Sequence, residues 1–441
     1  MNATALLSRF RRTRGAVVPH RKDTAELETI DMPVPSEIVL PMQQHIGALC
    51  EPVVKKGDHV DVGSLVGHAP RGLSADIFSG VSGTVKAIQP VFYSTGKTDT
   101  TVIIESDGAQ TVADTVAPPE VTDQASFLAA IKKSGLVGLG GAGFPTDIKL
   151  APPNLEEIDL YVVNATECEP YLSTDYREMM ETPDDVLFGI RETCRHLGIP
   201  NAMICIESNK PKAIELMREL TKDDSSIQVK ALPSRYPQSR ERARAQCHGT
   251  RRPARKAPDR RGRHVEQRDH HGLHRTLPEN RDAPRQKTLH RFRRRHRSPL
   301  QREHHHRHAP ARRHGIRRAD EGAAQGGAGR THDGQRQIDM DYPVIRQNNG
   351  VLVFSKDAME QPATTACIRC GRCTNSCPMQ LSPIAIKKAY TVQDAKKLDD
   401  LMADLCMGCG TCSFVCPAKQ PLAQTSKLAR DFMRAEMARR G

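Results

Sequence analysis

Apolar and polar positions divide the chain into stretches of different rhythm. From about Glu37 to Ile88 short apolar runs alternate with Gly- and Asp-containing turns, as in IVLPMQQHIGALCEPVVKKGDHVDVGSLVGHAP and then IFSGVSGTVKAI. That rhythm predicts a small all-β unit with tight turns at Lys56-Gly57-Asp58 and Val81-Ser82-Gly83. From about Ser126 to Tyr236 helical and buried-strand patterns take turns: FLAAIKKSG, LYVVNAT, VLFGIRETCRHLG, NAMICIE, KAIELMREL. Such alternation predicts an α/β domain with a mostly parallel sheet. After Asp339 come a strand-like GVLVF, Gly350 to Phe354, and a helix opened by Pro383 through IAIKKAY.

Between these stretches the rhythm disappears. Residues 239–337 contain 26 Arg, 2 Lys, 10 acidic residues and 13 of the 18 His, but only seven Val, Ile, Leu or Phe. The formal charge of +13 is concentrated there, since this segment nets +18 and the remaining chain −5. So little apolar surface cannot fold by itself, and the segment is expected to be disordered. Three origins compete: a disordered basic nucleic-acid tether, a His-rich metal store around Glu303 to His308, and translation out of frame. The third has a mechanism. Dropping one nucleotide turns Arg codons (CGN) into codons starting with G, and His codons (CAY) into Ile, Thr or Met codons. With permitted synonymous codons, SRERARAQCHGTRRPARKAP from Ser239 back-shifts to AVSVLVHNATARGVPPGKLP, and AAQGGAGRTHDGQ from Ala323 to RKVVLGGPMMGN. Both read as ordinary strand-and-turn sequence. The favoured reading is an aberrant segment, testable by sequencing the coding DNA across codons 230 to 345.

Eight of the thirteen cysteines fall between Cys367 and Cys416. In a chain whose start, MNATALLSRFRRTRG, lacks an apolar signal core, clustered cysteines read as metal ligands and not disulfides. CIRCGRCTNSCP and CMGCGTCSFVCP share the spacing Cys-x2-Cys-x2-Cys-x3-Cys-Pro. Three closely spaced thiolates wrap one cubane, and the fourth cysteine of each run ligates the other cluster. This assigns Cys367, Cys370, Cys373 and Cys416 to one [4Fe-4S] cluster, and Cys406, Cys409, Cys412 and Cys377 to the other. Two four-thiolate zinc sites are the alternative, which the doubled spacing and trailing prolines Pro378 and Pro417 disfavour. Gly371, Gly408 and Gly410 serve tight turns beside the sulfurs.

A further signal lies in GLVGLGGAGFPTDIKL, where Gly138, Gly140, Gly141 and Gly143 precede a predicted helix, so that backbone amides can approach a phosphate. The next element, VVNATECEP, is an apolar strand ending in Asn164, Glu167 and Glu169, which occupy the usual ligand crevice beyond a parallel strand. This glycine loop and strand end resemble the FMN- and NADH-binding subunit of respiratory complex I. With a start that is similar to a lipoyl-like barrel-sandwich hybrid and the twin ferredoxin motif, the chain resembles the C-subunit family of the Rnf (Rsx) ion-translocating electron transport complex. No lysine for lipoyl or biotin attachment is evident in the first unit. The resemblance covers roughly residues 28 to 238 and 339 to 420; residues 239–337 match nothing in that family as written.

The resemblance implies a multidomain α/β plus β fold: a lead over 1–27, a barrel-sandwich hybrid over 28–112, an FMN/NADH-binding α/β domain over 113–238, the aberrant segment 239–337 in place of a ubiquitin-like SLBB region, a helical 2[4Fe-4S] ferredoxin-like module over 338–425 and a tail over 426–441. It implies FMN and nicotinamide contacts from Gly138, Gly140, Gly141, Gly143 and Lys149, with Asn164, Glu167 and Glu169 around the isoalloxazine and nicotinamide. Surface carboxylates at a strand end are the other reading of the two glutamates. Cys168, between them, receives no role. The implied cofactors are two [4Fe-4S] clusters and FMN, with NADH as substrate. The implied function is that of a translocase/oxidoreductase component, peripheral on the cytoplasmic side of the inner membrane. It passes electrons between NADH and a ferredoxin- or flavodoxin-type carrier while membrane partners couple the flow to ion translocation. No stretch reaches the roughly 18 to 20 uncharged apolar residues of a membrane-spanning helix, so membrane contact is expected through partners alone. A soluble flavin/iron–sulfur reductase such as a cobalamin reductase shares this layout, and a basic nucleic-acid-binding protein is the alternative of another class; no nucleic-acid partner is expected.

Overall fold

The computed structural model describes residues 15–31, 33–92, 98–139, 141, 143–238, 325–328, 335–336, 343–348, 350–354 and 363–440. In the first unit the short apolar runs form strands β1 (Glu37–Pro41), β2 (Glu51–Pro52), β3 (His59–Val60), β4 (Leu65–His68), β5 (Ile77–Phe78), β6 (Gly83–Phe92) and β7 (Thr98–Ser106). They pair as two sheets, β1-β7-β6-β3 and β2-β4-β5. Alternate residues Ile38, Leu40, Val102 and Ile104 meet Val66, Ile77 and Val85 in one apolar core. The turn at Gly83 requires glycine, because its φ is +155° and a Cβ there would lie 2.0 Å from the carbonyl oxygen of Glu105. This is the expected barrel-sandwich unit.

Next follow α1 (Gln124–Lys133), α2 (Thr146–Leu150), β8 (Leu160–Ala165), α3 (Thr174–Glu181), α4 (Pro183–Leu197), β9 (Asn201–Glu207), α5 (Pro211–Leu220) and β10 (Ile227–Leu232). Pro183 and Pro211 open their helices, and Gly198, at φ +68°, closes α4. The three strands form a parallel sheet in the order β10-β9-β8. Tyr161, Val163 and Ala165 face a core with Ile190, Ile204, Ile206 and Met217, while Val162, Met203, Cys205 and Leu232 cluster separately. The two-residue period of each strand therefore buries both faces.

The described backbone stops at Gln238, one residue before the Arg- and His-rich stretch. The disorder expected for 239–337 concerns residues outside the described ones, with two exceptions. Gln325–Ala328 (β11) and Gln335–Arg336 (β12) form strands, and β11 pairs antiparallel with both β12 and β13 (Val351–Phe354). Backbone pairing needs no apolar side chain, which is why composition gave no sign of them.

The last module comprises α6 (Arg372–Ser376), α7 (Pro383–Thr391), α8 (Ala395–Asp400), α9 (Thr411–Phe414) and α10 (Leu422–Arg440). Within the stretch 426–441, one helix continues from Leu422 to Arg440 and buries Ala429 and Met433 against Leu381, Ile386 and Leu398. The lead, 1–27, is described only in part. From Gly15 onward it crosses the α/β domain, with Ala16 bridged to Tyr236 and Val18 buried beside them; residues before Gly15 lie outside the described ones.

Candidate functional site

Parallel strands end on the same side, so β8 and β9 deliver their carboxyl-terminal residues to one crevice. Asn164, Glu167 and Glu169 lie at that end, and all are buried, at 3%, 4% and 5% exposure, so the two glutamates are not surface carboxylates. Thr166 donates its N–H to Asn164 Oδ1 (3.3 Å), and the Thr166 hydroxyl lies 2.7 Å from the same oxygen. Glu167 has φ +35° and Tyr171 φ +69°, so the loop after β8 holds two side-chain-bearing residues in left-handed backbone.

Two lysines hold this loop. Lys22 Nζ donates to the carbonyl oxygens of Glu167 (2.9 Å), Glu169 (2.7 Å) and Leu172, and lies 3.8 Å from Glu167 Oε2. Lys210, just ahead of α5, donates to the carbonyl oxygens of Thr166 (2.9 Å) and Glu167 (3.4 Å) and pairs with Glu207 Oε2 at 3.6 Å. Asp175 donates its N–H to Glu167 Oε1 at 2.8 Å. Burial, with the Asp175 charge adding to it, raises the Glu167 carboxyl to about 7 against the pull of Lys22 and Lys210. Burial likewise raises Glu207 to about 6 and lowers Lys22. Both carboxyls thus change charge near neutrality. Glu167 Oε2 accepts no hydrogen bond among the described residues, which leaves a buried acceptor for a ligand donor.

Lys22, Asp175, Glu207 and Lys210 were not found from the sequence. Glu207 and Lys210 obey the rule that found Glu167, since NAMICIESNK is also a buried strand ending in polar groups. Lys22 lies 145 residues from Glu167 with no periodic pattern around it.

The glycine loop is built differently from the expectation. Val137 bridges Pro145, Gly138 donates its N–H to Phe144 O (2.8 Å), and Thr146 to Leu136 O (3.0 Å), closing a hairpin-like loop. The helix that follows, α2, has only five residues, because Pro145 precedes it and Pro152 and Pro153 follow. A helix that short offers little dipole, so the phosphate argument rests on the loop and on Lys149. Lys149 Nζ lies 3.5 Å from where a Cβ on Gly138 would sit, which makes the glycine face a cradle under a cation. Gly143 has φ +67°, and a Cβ there would come within 2.9 Å of His45 Cα and 2.8 Å of Gln347 Nε2. Its carbonyl accepts from Ile46 N–H at 3.1 Å, so the barrel-sandwich unit presses directly on this loop. Gly141 is described, and Gly140 lies outside the described residues.

Of the eight clustered cysteines, four line one space. Cys377 from the first run lines a small apolar cavity together with Cys406, Cys409 and Cys412 from the second, alongside residues such as Met379, Leu381 and Ile386. Burial raises the Cys377 thiol, with Cys409 and Cys406 adding to the effect, and burial raises Cys412 likewise. Thiols that resist ionisation alone fit a cationic iron core, which supplies the missing positive charge. Cys367 and Cys370 are exposed, Cys373 and Cys416 half-buried. Gly371, Gly408 and Gly410 all have positive φ.

The two regions meet. Cys409 and Val415 pack with Cys168 against Ala16, Val18 and Tyr236, and Gln238 donates its N–H to Cys168 Sγ at 3.2 Å. Gly15 donates its N–H to Ser376 O at 2.9 Å, so the N-terminal strap also touches the first cysteine run. Among the described residues no helix is long and apolar enough to cross a membrane.

Residues 10–109 match the family model of the RnfC barrel sandwich hybrid domain, residues 131–266 that of the Nuo51 FMN-binding domain, and residues 366–420 that of the 4Fe-4S dicluster domain. The C subunit of the proton-translocating ferredoxin:NAD(+) oxidoreductase complex of Clostridium ljungdahlii is 38% identical over 238 residues, 52% of this chain and 51% of that protein. The C subunit of the Na(+)-translocating ferredoxin:NAD(+) oxidoreductase complex of Acetobacterium woodii is 37% identical over 228 residues, 51% of this chain and 52% of that protein. The C subunit of the ion-translocating oxidoreductase complex of Rhodobacter capsulatus is 31% identical over 404 residues, 85% of this chain and 74% of that protein. The chain thus spans about half the length of the first two relatives it matches.

Proposed function

The chain belongs to the RnfC family of ion-translocating oxidoreductase complexes, and from that premise we propose that it is a flavin and iron–sulfur electron-transfer component, peripheral on the cytoplasmic face of the inner membrane. In this reading it passes electrons between NADH and a ferredoxin-level carrier while its partners couple the flow to ion translocation. The observation that carries it is the junction at Cys409, where the four-cysteine cavity abuts the strand-end crevice through Cys168 and Tyr236.

Gly138, Gly140, Gly141, Gly143 and Lys149 would hold the phosphate end of an FMN, and Asn164, Glu167 and Glu169 its ring and the nicotinamide. Bound flavin supplies the exchange between a hydride pair and single electrons. The chain's own residues do the rest. Glu167, raised to about 7, holds or releases a proton near neutral pH at a buried carboxyl oxygen. Lys22 and Lys210 fix that carboxyl's backbone, and the strand-end loop keeps water from it. Cys377, Cys406, Cys409 and Cys412 would hold one cluster beside this crevice, and Cys367, Cys370, Cys373 and Cys416 the other toward solvent.

Anaerobic reconstitution with iron, sulfide and FMN tests the reading, on this chain and on a version restored to the alternative frame over residues 239–337. About eight irons and one flavin per restored chain, with clusters reduced on adding NADH, are expected. Zinc in place of iron, or a restored chain that binds no flavin, would count against it.

A further inference from the structure

We propose that Lys22, on the N-terminal strap, is a positioning residue for the Glu167–Leu172 loop, setting both its backbone and the charge of Glu167. This rests on the reading of the crevice as the flavin and nicotinamide site.

The argument begins with the loop. It turns through positive φ at Glu167 and at Tyr171, a conformation that strains a side-chain-bearing residue and persists only when neighbours impose it. Turning this way also points three carbonyl oxygens, those of Glu167, Glu169 and Leu172, toward one place, and the Lys22 ammonium fills it with its three donors. The strap is fastened on both sides of Lys22: His20 O accepts from Tyr171 N–H at 3.0 Å, and Arg177 donates to Ala25 O at 3.1 Å. An ammonium so held can do little but organise the loop.

Glu167 is faced by Lys22 from the strap, Lys210 ahead of α5 and Asp175 on α3, while His20 and Glu207 act on the same two lysines. Besides the Asp175 N–H, only the two lysines favour its ionised form, and Lys210 is shared with Glu207. Lys22 is therefore the cation whose loss Glu167 should register most directly. Asp175 remains as a negative neighbour when it is gone.

Infrared difference titration of the full chain with 13C-labelled glutamate, using Glu167→Gln to identify the band, reads the Glu167 carboxyl without flavin, clusters or NADH. Lys22→Met is expected to move its midpoint from about 7 to about 8 or higher. Lys22→Arg, which keeps charge and donors, is expected to hold it near 7. A folded Lys22→Met variant that still titrates at about 7, or an arginine variant that shifts as far as the methionine one, overturns the assignment. Should Lys22→Met lose its folded circular dichroism, amine-ester labelling of the wild-type chain decides: Lys22 should react at least about tenfold more slowly than exposed Lys212, and equal rates would refute it. A chain that fails to bind flavin would damage the proposed function while leaving this titration intact.

Discussion

Replacing Gly143 by alanine should loosen the glycine loop far more than the same change at Gly198, although the two glycines have nearly equal backbone angles, φ +67° and +68°. Each alanine pays about 1 to 2 kcal/mol for left-handed backbone. At Gly198 nothing lies within 4 Å of the new Cβ, so the cost ends there. At Gly143 the Cβ would lie 2.8 Å from Gln347 Nε2, which can swing aside, and 2.9 Å from His45 Cα, which is backbone and cannot. Overpacking of this kind adds about 1 to 3 kcal/mol, equivalent to roughly 5- to 150-fold in a local opening constant. Because a multidomain chain does not unfold in one step, amide hydrogen exchange is the suitable assay. The amides to follow are Gly138, Thr146 and Ile46 for Gly143→Ala, and Ile199, bonded to Cys194 O, for Gly198→Ala. Exchange at the first three should accelerate by about 5- to 150-fold more than at Ile199. FMN affinity of the frame-restored chain should fall by about tenfold or more in parallel. Equal acceleration in the two variants would show that His45 does not confine the loop.

Cys377→Ala should remove the cluster held by Cys406, Cys409 and Cys412 and spare its sequence neighbour, while Cys416→Ala should do the reverse; EPR of each reduced variant decides, and loss of the Cys367–Cys373 cluster from Cys377→Ala would rule out crossed ligation. Stability should fall as pH rises from about 4.5 through about 7, because Glu167 is raised from 4.5 to about 7 and binds a proton in the folded state that the unfolded state has lost. The Glu167 share, fully present below about 4.5 and gone above about 7, is on the order of 3 kcal/mol; Glu167→Gln should flatten this dependence in denaturant titrations, and an unchanged slope would contradict the buried-acid assignment. Iron chelation should loosen α7 and α10, whose core includes Cys377, Leu381 and Met433, but leave the exchange of β8 and β9 unchanged.

The parts of the fold that follow a local period were legible. FLAAIKK, LYVVNA and NAMICIE carry their own periodicity, and Pro183, Gly198 and Pro211 mark where helices begin and end. The crossed assignment of Cys377 came from the repeated cysteine spacing, and in the fold Cys377 lines one pocket with Cys406, Cys409 and Cys412. The helix after the glycine loop is short for a reason visible in the sequence, since Pro145, Pro152 and Pro153 bound it to a few residues. At the crevice, the strand-end rule singled out Asn164, Glu167 and Glu169 but was not applied to the equivalent end of β9, which costs Glu207 and Lys210. Lys22 is a different kind of omission. Its partners are backbone carbonyls of a loop shaped only in the folded chain, and no spacing in the sequence encodes that.

The strap has a consequence in time as well as in space. Ser376 and Cys409, which the strap finally meets, emerge about 360 residues or more after Gly15 and Ala16. At roughly 5 to 20 residues per second, the strap waits on the order of 20 to 70 s for them. During that interval it can lie along the α/β domain through Tyr236 and the Glu167 loop, because those partners appear first. The iron–sulfur module therefore docks onto a surface that the strap has already laid down, and this closure is the last of the strap's contacts to form, at a time set by when the cysteines reach it.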